Sequence, residues 1–296
     1  MANPVRVHLV DGTWELFRAH FSKRPGHRSP KGKELKATVG VVSSMLNLIQ
    51  DAGETPTHLA LAFDNPIRSF RNDLFDGYKT EAGVEPELLA QFDEVEEAVS
   101  ALGLCVWSMK DFEADDGLGT GAARFAADPT VSQIRILSPD KDLAQCLVEG
   151  RNAVQVNRLT LKETTRASFI AERGFSPDSV PDFLALVGDS ADGIPGLDGW
   201  GEKGAATVLG KHPHLEDIPD DPKLWKATVR GADRLAATLE AGRKDALLYR
   251  TLATLRTDAP ITKGLTPLAW KGVGKGFEAW CKKTGAGRLW ERATQL

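Results

Sequence analysis

VRVHLVDG (Val5–Gly12) is an alternating, β-branched run that stops on an acid and a glycine. The alternation predicts a half-buried strand, and Asp-Gly predicts a turn directly after it. A helical period over Thr13–Phe21 follows at once. The arrangement then recurs along the chain. His58–Phe63 (HLALAF) ends on Asp64, and a helix over Ala37–Asp51, with Val41, Met45, Leu48 and Ile49 on one face, separates it from the first strand. Leu104–Ser108 leads into Glu113-Ala-Asp115-Asp116 and a helix over Gly117–Ala126. Gln133–Leu137 leads into Asp140-Lys-Asp142, and Ala153–Asn157 is a fifth strand candidate. Strands alternating with helices predict an α/β fold over residues 1–174, a mostly parallel doubly wound sheet. From Phe175 the pattern is helical, so residues 175–296 are expected to form a second, helical region whose tail, 270–290, closes the domain with short helices.

Composition bounds the possibilities without choosing among them. The 296 residues, 42% hydrophobic and 26% charged, are ordinary for a globular protein. No run of about 18 apolar residues is present, which argues against a membrane span. The start, MANPVRVHLVDG, lacks the layout of a secretory signal. Cys105, Cys146 and Cys281 are far apart in apolar surroundings and read as reduced thiols of a cytoplasmic protein, not as ligands. A net charge of −4 does not advertise a nucleic-acid binder, but an acidic metal site would mask a basic surface elsewhere. Between Arg18 and Lys36 seven Lys/Arg, among them Lys23, Arg24 and Lys31, face one acid, Glu34. By itself the run reads as a solvated loop, with a nucleic-acid-facing loop as the alternative.

In an open parallel sheet, ligands bind beyond the carboxyl ends of the strands. Asp11 and Asp64 end two strands, while Glu113, Asp115 and Asp116, then Asp140 and Asp142, follow two more. One such acid is commonly a helix cap, but four strand ends in register converge on one edge. Carboxylates so crowded raise each other's pKa unless cations neutralise them. All-oxygen ligands favour Mg²⁺ or Mn²⁺ over zinc, and the six histidines match no zinc spacing. Two such ions roughly 4 Å apart can activate water and stabilise the leaving oxygen of a phosphodiester.

Val187–Ala206, VGDSADGIPGLDGWGEKGAA, joins this chemistry to a grip. Asp189 and Asp192 stand against a glycine-rich turn, Gly196, Gly199 and Gly201, with Lys203 just beyond. Glycines at that spacing let backbone approach a large partner, and amides opening a helix can face an anion.

Five stretches, LVDGTWELFRAHF, LAFDNPIRSFRNDLFDGYK, FEADDGLGT, LSPDKDLAQCL and VGDSADGIPGLDGWGEKGAA, together resemble the 5′-nuclease family, the 5′→3′ exonuclease domain of bacterial DNA polymerase I and the flap endonucleases. They keep the family's order and cover about residues 5 to 210, and FEAWCKKTGAGRLWERA resembles the end of that domain. The resemblance implies a PIN-like sheet and a helix–three-turn–helix that grips duplex phosphates through Gly196, Gly199, Gly201 and Lys203, with a bound K⁺. It places a first metal on Asp11, Asp64, Glu113 and Asp115, with Asp116 alongside. A second falls on Asp140, Asp142 and Asp192, with Asp189 acting through water. Lys79 matches a basic residue at the foot of a helical arch (about 80–103) that approaches the scissile phosphate, and Arg71 matches one nearby. The arch departs from the family pattern: from Thr80 to Met109 there is no Lys or Arg, while seven acids accumulate.

What these readings imply is a Mg²⁺-dependent (or Mn²⁺-dependent), structure-specific nuclease, a stand-alone enzyme or a domain of a larger chain. It would act as a monomer on DNA with a 5′ flap, a nick or a 5′ duplex end, leaving a 5′-phosphate and a 3′-hydroxyl. Two alternatives remain at this stage: a PIN-type single-strand ribonuclease sharing the acidic edge, and a branched-DNA-binding module weak in catalysis.

Overall fold

A computed structural model describes residues 4–296. Strand β1 (Val5–Asp11) is followed by helices α1 (Gly12–Phe21) and α2 (Lys36–Gln50), then β2 (His58–Asp64). Short helices α3 (Arg71–Leu74) and α4 (Pro86–Leu89) precede α5 (Phe92–Leu102) and β3 (Cys105–Met109). Next come α6 (Ala114–Ala126), β4 (Val131–Leu137), β5 (Ala153–Asn157) and β6 (Lys162–Thr164). The remainder is helical: α7 (Arg166–Arg173), α8 (Val180–Val187), α9 (Glu202–Leu209), α10 (Ala232–Ala253), α11 (Phe277–Thr284) and α12 (Gly287–Ala293).

The strands form one sheet in the order β3-β2-β1-β4-β5-β6. β1 lies between β2 and β4 and is parallel to both. From β1 the chain moves outward to β2 and β3, then crosses through α6 to β4 on the other side. The connectivity therefore reverses between β1 and β4, and an open crevice forms there beyond the carboxyl ends. β6 was not expected. It is a three-residue, largely exposed antiparallel edge strand, too short and polar to produce a hydrophobic period.

Side chains alternate across the strands, so each strand feeds two cores. On one face Val7, Leu9, Ala60 and Ala62 belong to a core shared with α6, α8 and, further out, Trp200 and Trp225. On the other, Val10, Leu59, Leu61 and Phe63 pack with α1, α2, α5, α11 and α12. Fully burying a side chain of this size contributes roughly 1.5–3 kcal/mol. Gly40 lets α1 and α2 close: a Cβ there would stand 2.6 Å from Ala19 Cβ.

The expected arch over residues 80–103 is corrected by the packing of its second half. Val95, Ala98, Val99 and Leu102 of α5 are fully buried against the sheet and α2, as are Leu88 and Gln91 before it, so α5 is a sheet-covering helix and only about 80–87 is largely exposed. Its acids have local cationic partners, Glu94 with Lys33 and Glu97 with Lys283 (2.9 Å). Among the described residues, no helix is long and apolar enough to cross a membrane.

Candidate metal centre

The acidic residues meet at the carboxyl edge because each is held by the element it begins or ends. Asp11 closes β1 and caps α1: Oδ1 accepts the Trp14 N–H at 2.8 Å and Oδ2 accepts the Ser138 hydroxyl at 2.8 Å. Ser138 follows β4, so this bond ties the two strands at the reversal point. Burial, with Asp64 and Asp140 nearby, pushes the Asp11 carboxyl up to about 7. Asp64 closes β2, and its Oδ1 accepts the Ala114 N–H at 2.7 Å, fixing the start of α6 over the strand end. Burial raises its pKa also. Asp115, in the first turn of α6, is raised well above the usual carboxylate range by burial, then by Asp140 and Asp11.

A second group lies beside the first. Asp142, Asp189 and Asp192 each offer a carboxylate oxygen within 4.8 Å of the others. Asp142 is 6% exposed and its Oδ1 is buried with no hydrogen-bond partner. Burial, then Asp140, Asp192 and Asp189, raise its pKa well above normal. Asp189 sits in a tight turn closed by paired Asp189–Ile194 backbone bonds of 2.8 Å. Burial opposes its ionisation, but Lys141 at 2.8 Å and the Ala191 N–H outweigh it and hold Asp189 below its ordinary value. Asp140 is exposed and acts on both Asp115 and Asp142, so it stands between the groups. Asp189, expected to work through water, lies within direct ligand range of Asp142 and Asp192.

Between the groups the Lys79 ammonium reaches Glu113 at 2.8 Å and Asp192 at 3.0 Å. Burial disfavours that charge, but Glu113 and Asp192 hold the pKa well above normal. Glu113 also accepts from Ser69 Oγ (2.7 Å) and Tyr78 OH (3.2 Å). Burial would raise Glu113, yet Lys79 and Arg71 keep it low. The backbone of Lys79 is clamped as well: its N–H donates to Asp192 O at 3.0 Å and its carbonyl accepts from Asn72 at 2.9 Å. Sequence reasoning missed Ser69, Asn72, Tyr78 and Ser138, which are neutral residues without a distinctive spacing.

Two expected site residues are placed differently. Arg71 is 2% exposed and its guanidinium is spent internally, on Asp116 (2.7 and 2.8 Å) and on the carbonyls of Leu252 and Thr254. Its remaining Nη1 donor faces Glu113 at 3.3 Å, so the guanidinium is turned inward and not toward a scissile phosphate. Asp116 is fully buried, and its oxygens accept from Arg71 and the N–H groups of Glu113 and Arg256 (2.9 Å each). The pair is a buried strut that fixes α6 beneath the site.

The glycine turn joins α8 to α9. Gly196 has φ +71°, and a Cβ there would stand 2.5 Å from the Gly188 nitrogen; Gly199 has φ +81°. Gly201 meets neither constraint. Lys203 is exposed in the first turn of α9, while Trp200 is 4% exposed and packs on Trp225. Lys23, Arg24 and Lys31 are exposed on the α1–α2 connection, on the opposite face of the sheet from the glycine turn.

The residues fit divalent cations. Buried carboxylates of raised pKa, an orphan oxygen on Asp142 and an all-oxygen donor set form a site that needs positive charge.

Comparison with known proteins gives consistent matches. Residues 6–174 match the family model described as 5′-3′ exonuclease, N-terminal resolvase-like domain, and residues 175–275 match 5′-3′ exonuclease, C-terminal SAM fold. The chain is 35% identical over 268 residues to DNA polymerase I of Rhizobium leguminosarum, covering 88% of this chain but 26% of that one. It is 31% identical to the 5′-3′ exonuclease of Bacillus subtilis (strain 168), covering 88% of this chain and 86% of the other. Among solved structures, a T5 5′-exonuclease with bound divalent metal ions (zinc) superposes with a TM-score of 0.65 at 17% identity, over 97% and 99% of the two chains. The catalytic core of Rad2 in complex with DNA substrate gives 0.62 at 15%, over 100% and 95%. These structures share the fold.

Proposed function

The chain belongs to the 5′-3′ exonuclease family, and on that premise we propose that it is a metal-dependent, structure-specific 5′ nuclease of DNA, acting as a 5′→3′ exonuclease and flap endonuclease. The observation that carries this reading is the cluster of Asp142, Asp189 and Asp192 beside Asp11, Asp64 and Asp115, with Lys79 between Glu113 and Asp192. Asp11, Asp64, Glu113 and Asp115 would hold one Mg²⁺ or Mn²⁺, and Asp142, Asp189 and Asp192, with Asp140 between, a second. Ions bound there supply an activated water and charge for the leaving oxygen. The chain's own residues do the rest. Ser138 and the Trp14 N–H aim the Asp11 carboxylate, and Ser69 and Tyr78 aim Glu113. Lys79, fixed at both ends of its peptide unit, presents a permanent positive charge where a phosphate must lie.

The proposed region from residue 175 would supply both the last acids of this centre, Asp189 and Asp192, and the duplex grip. The α8–α9 turn, with Gly196, Gly199, Gly201 and Lys203, would hold duplex phosphates, and K⁺ is the proposed companion ion there. Lys23, Arg24 and Lys31 would face DNA on the other side of the sheet. The enzyme is proposed to work as a cytoplasmic monomer. Incubating 5′-labelled flap, nicked, blunt and single-stranded DNAs and single-stranded RNA with Mg²⁺, and again with EDTA, tests the reading. Release of 5′ fragments from flap or nicked DNA, abolished by EDTA, is expected. Cleavage of RNA alone, or cleavage indifferent to EDTA, would overturn it.

A further inference from the structure

Between the metal edge and helices α1 and α2 runs a short bridge, Thr80–Glu87, most of it exposed. Its course is set at three points. At its start Lys79 is held by its N–H, its carbonyl and its ammonium. At its end Leu88 and Gln91 are fully buried, and Gln91 accepts the Thr38 N–H of α2 at 3.1 Å while donating to the Glu87 carbonyl at 3.0 Å. Between them the Glu85 carboxylate meets the His20 ring of α1 at 2.8 Å. The charge along this fixed course has one sign. Glu81, Glu85 and Glu87 are exposed, and there is no Lys or Arg from Thr80 to Met109. Glu85 has His20 alone, and Glu81 and Glu87 belong to no ion pair among the described residues. Lys36 lines one hollow with Glu34, Glu85 and Glu87, but its ammonium is given to the carbonyls of His20 (2.6 Å) and Ser22 (2.9 Å).

From this we infer that Thr80–Glu87 is an electrostatic barrier that limits how much unpaired 5′ strand the cutting centre accepts. Glu81, Glu85 and Glu87 set a specificity for nicks, recessed 5′ ends and flaps of one or two nucleotides over long 5′ flaps. The sign of the surface changes within two residues. Lys79 attracts the phosphate at the cut, and Glu81 repels the next ones. A 5′ strand held at Lys79 leaves past Thr80, because the clamp that fixes Lys79 joins it directly to the bridge. Charges within about 10 Å of one another interact at 0.1 M ionic strength. A flap of one or two nucleotides keeps its phosphates beside Lys79, whereas a longer one carries several more along the three carboxylates. Like charges so placed raise the free energy of the bound strand without touching the chemistry at the metal edge. The inference rests on the nuclease reading and narrows its substrate to DNA with little or no free 5′ strand.

The test uses the full chain with Mg²⁺ and a set of nicked duplexes, labelled at the 3′ end of the cut strand. They differ only in an unpaired 5′ strand of one or about twenty nucleotides. Wild type is expected to cut the short flap with a kcat/KM about tenfold above that of the long one at low salt, and the ratio should fall toward one as added KCl screens the repulsion. An attractive contact would respond to salt in the opposite sense. Glu81→Gln/Glu87→Gln should cut the short flap as wild type does and bring the ratio to within about threefold, and Glu81→Lys/Glu87→Lys should favour the long flap. A long flap made with uncharged methylphosphonate linkages should be cut by wild type like the short one. That measurement needs no variant, so it stands even if a variant fails to fold. A ratio unchanged in folded variants overturns the inference, and so does an uncharged long strand rejected as strongly as DNA, which would make the bridge an obstruction and not a charge barrier. Wild type that cuts both lengths equally overturns this inference alone; wild type that cuts neither overturns the nuclease reading.

Discussion

Asp115 and Asp116 are adjacent in the chain, yet the helix they open turns them about 100° apart. Asp115 faces Asp11 and Asp140, whereas Asp116 is fully buried against Arg71. Nothing in EADD distinguishes them, because the sequence carries no phase until the helix is seated on the sheet. Their variants should therefore fail differently. Asp116→Ala takes from the buried Arg71 its bidentate partner and leaves only Glu113, at 3.3 Å, as a neighbouring acid, which costs about 3–5 kcal/mol, read as a lower urea midpoint. Asp115→Ala should keep the midpoint and lose Mg²⁺-dependent cleavage. A native midpoint with lost cleavage for Asp116→Ala would return that residue to the ligand set. In the second group, Asp142→Ala or Asp192→Ala should reduce cleavage at least a thousandfold, as expected when a metal ligand is removed from a phosphodiester-cleaving centre. DNA binding should stay within a few fold; an equal loss of binding would count against a catalytic role. The glycines divide in the same way. Gly196→Ala meets backbone at 2.5 Å with φ +71° and should destabilise by about 1–3 kcal/mol, while Gly201→Ala, in open space, should change the midpoint little.

At the scale of elements, the strands were legible because apolar runs ending on acids carry a period and a stop, and the first three parallel strands match expectation within a residue or two. The segment from 80 to 103 was not. The family resemblance implies an arch there, but Leu88, Phe92, Val95, Val99 and Leu102 pack into the second core, and an apolar stripe cannot say which sheet face it will cover. The sixth strand escaped for the opposite reason, having no apolar stripe at all. The placement of α5 can be checked directly. Leu102→Ala should cost about 2–5 kcal/mol, as for any fully buried leucine, whereas in a projecting arch it would cost almost nothing in urea denaturation. Glu97→Ala removes an exposed pair with Lys283 and should cost under about 1 kcal/mol. Of the seven acids in this segment, Glu94 and Glu97 are held by Lys33 and Lys283, and Glu85 lies against His20.

Across the whole molecule, charge is arranged in opposite senses at the two ends of the sheet. At the amino ends Glu54 holds Arg135 (2.7 Å) and His8 (2.9 Å), and its pKa falls to about 2 through the His8 hydrogen bond and, against burial, Arg135. An acid depressed on folding contributes stability that is present above its ordinary value of 4.5 and lost as pH falls toward about 2. At the carboxyl ends the sign reverses. Asp11, raised from 3.8 to about 7 by burial, binds its proton more tightly in the folded chain. Its contribution is therefore fully present below 3.8 and fades as pH rises through about 7. One end is stabilised by ionisation and the other is not; the crowded carboxylates of the cutting edge hold protons unless cations neutralise them. Asp11→Asn in EDTA isolates this effect. Relative to wild type, the variant should gain thermal stability steadily from pH 4 to 7.5. Saturating Mg²⁺, at about a hundred times its dissociation constant, should raise the wild-type melting temperature by roughly 5–8 °C at pH 7.5, by much less at pH 5, and hardly at all in Asp11→Asn/Asp142→Asn. A wild-type melting temperature indifferent to Mg²⁺ at pH 7.5, or an Asp11→Asn difference that does not change with pH, would mean the edge is not built around cations.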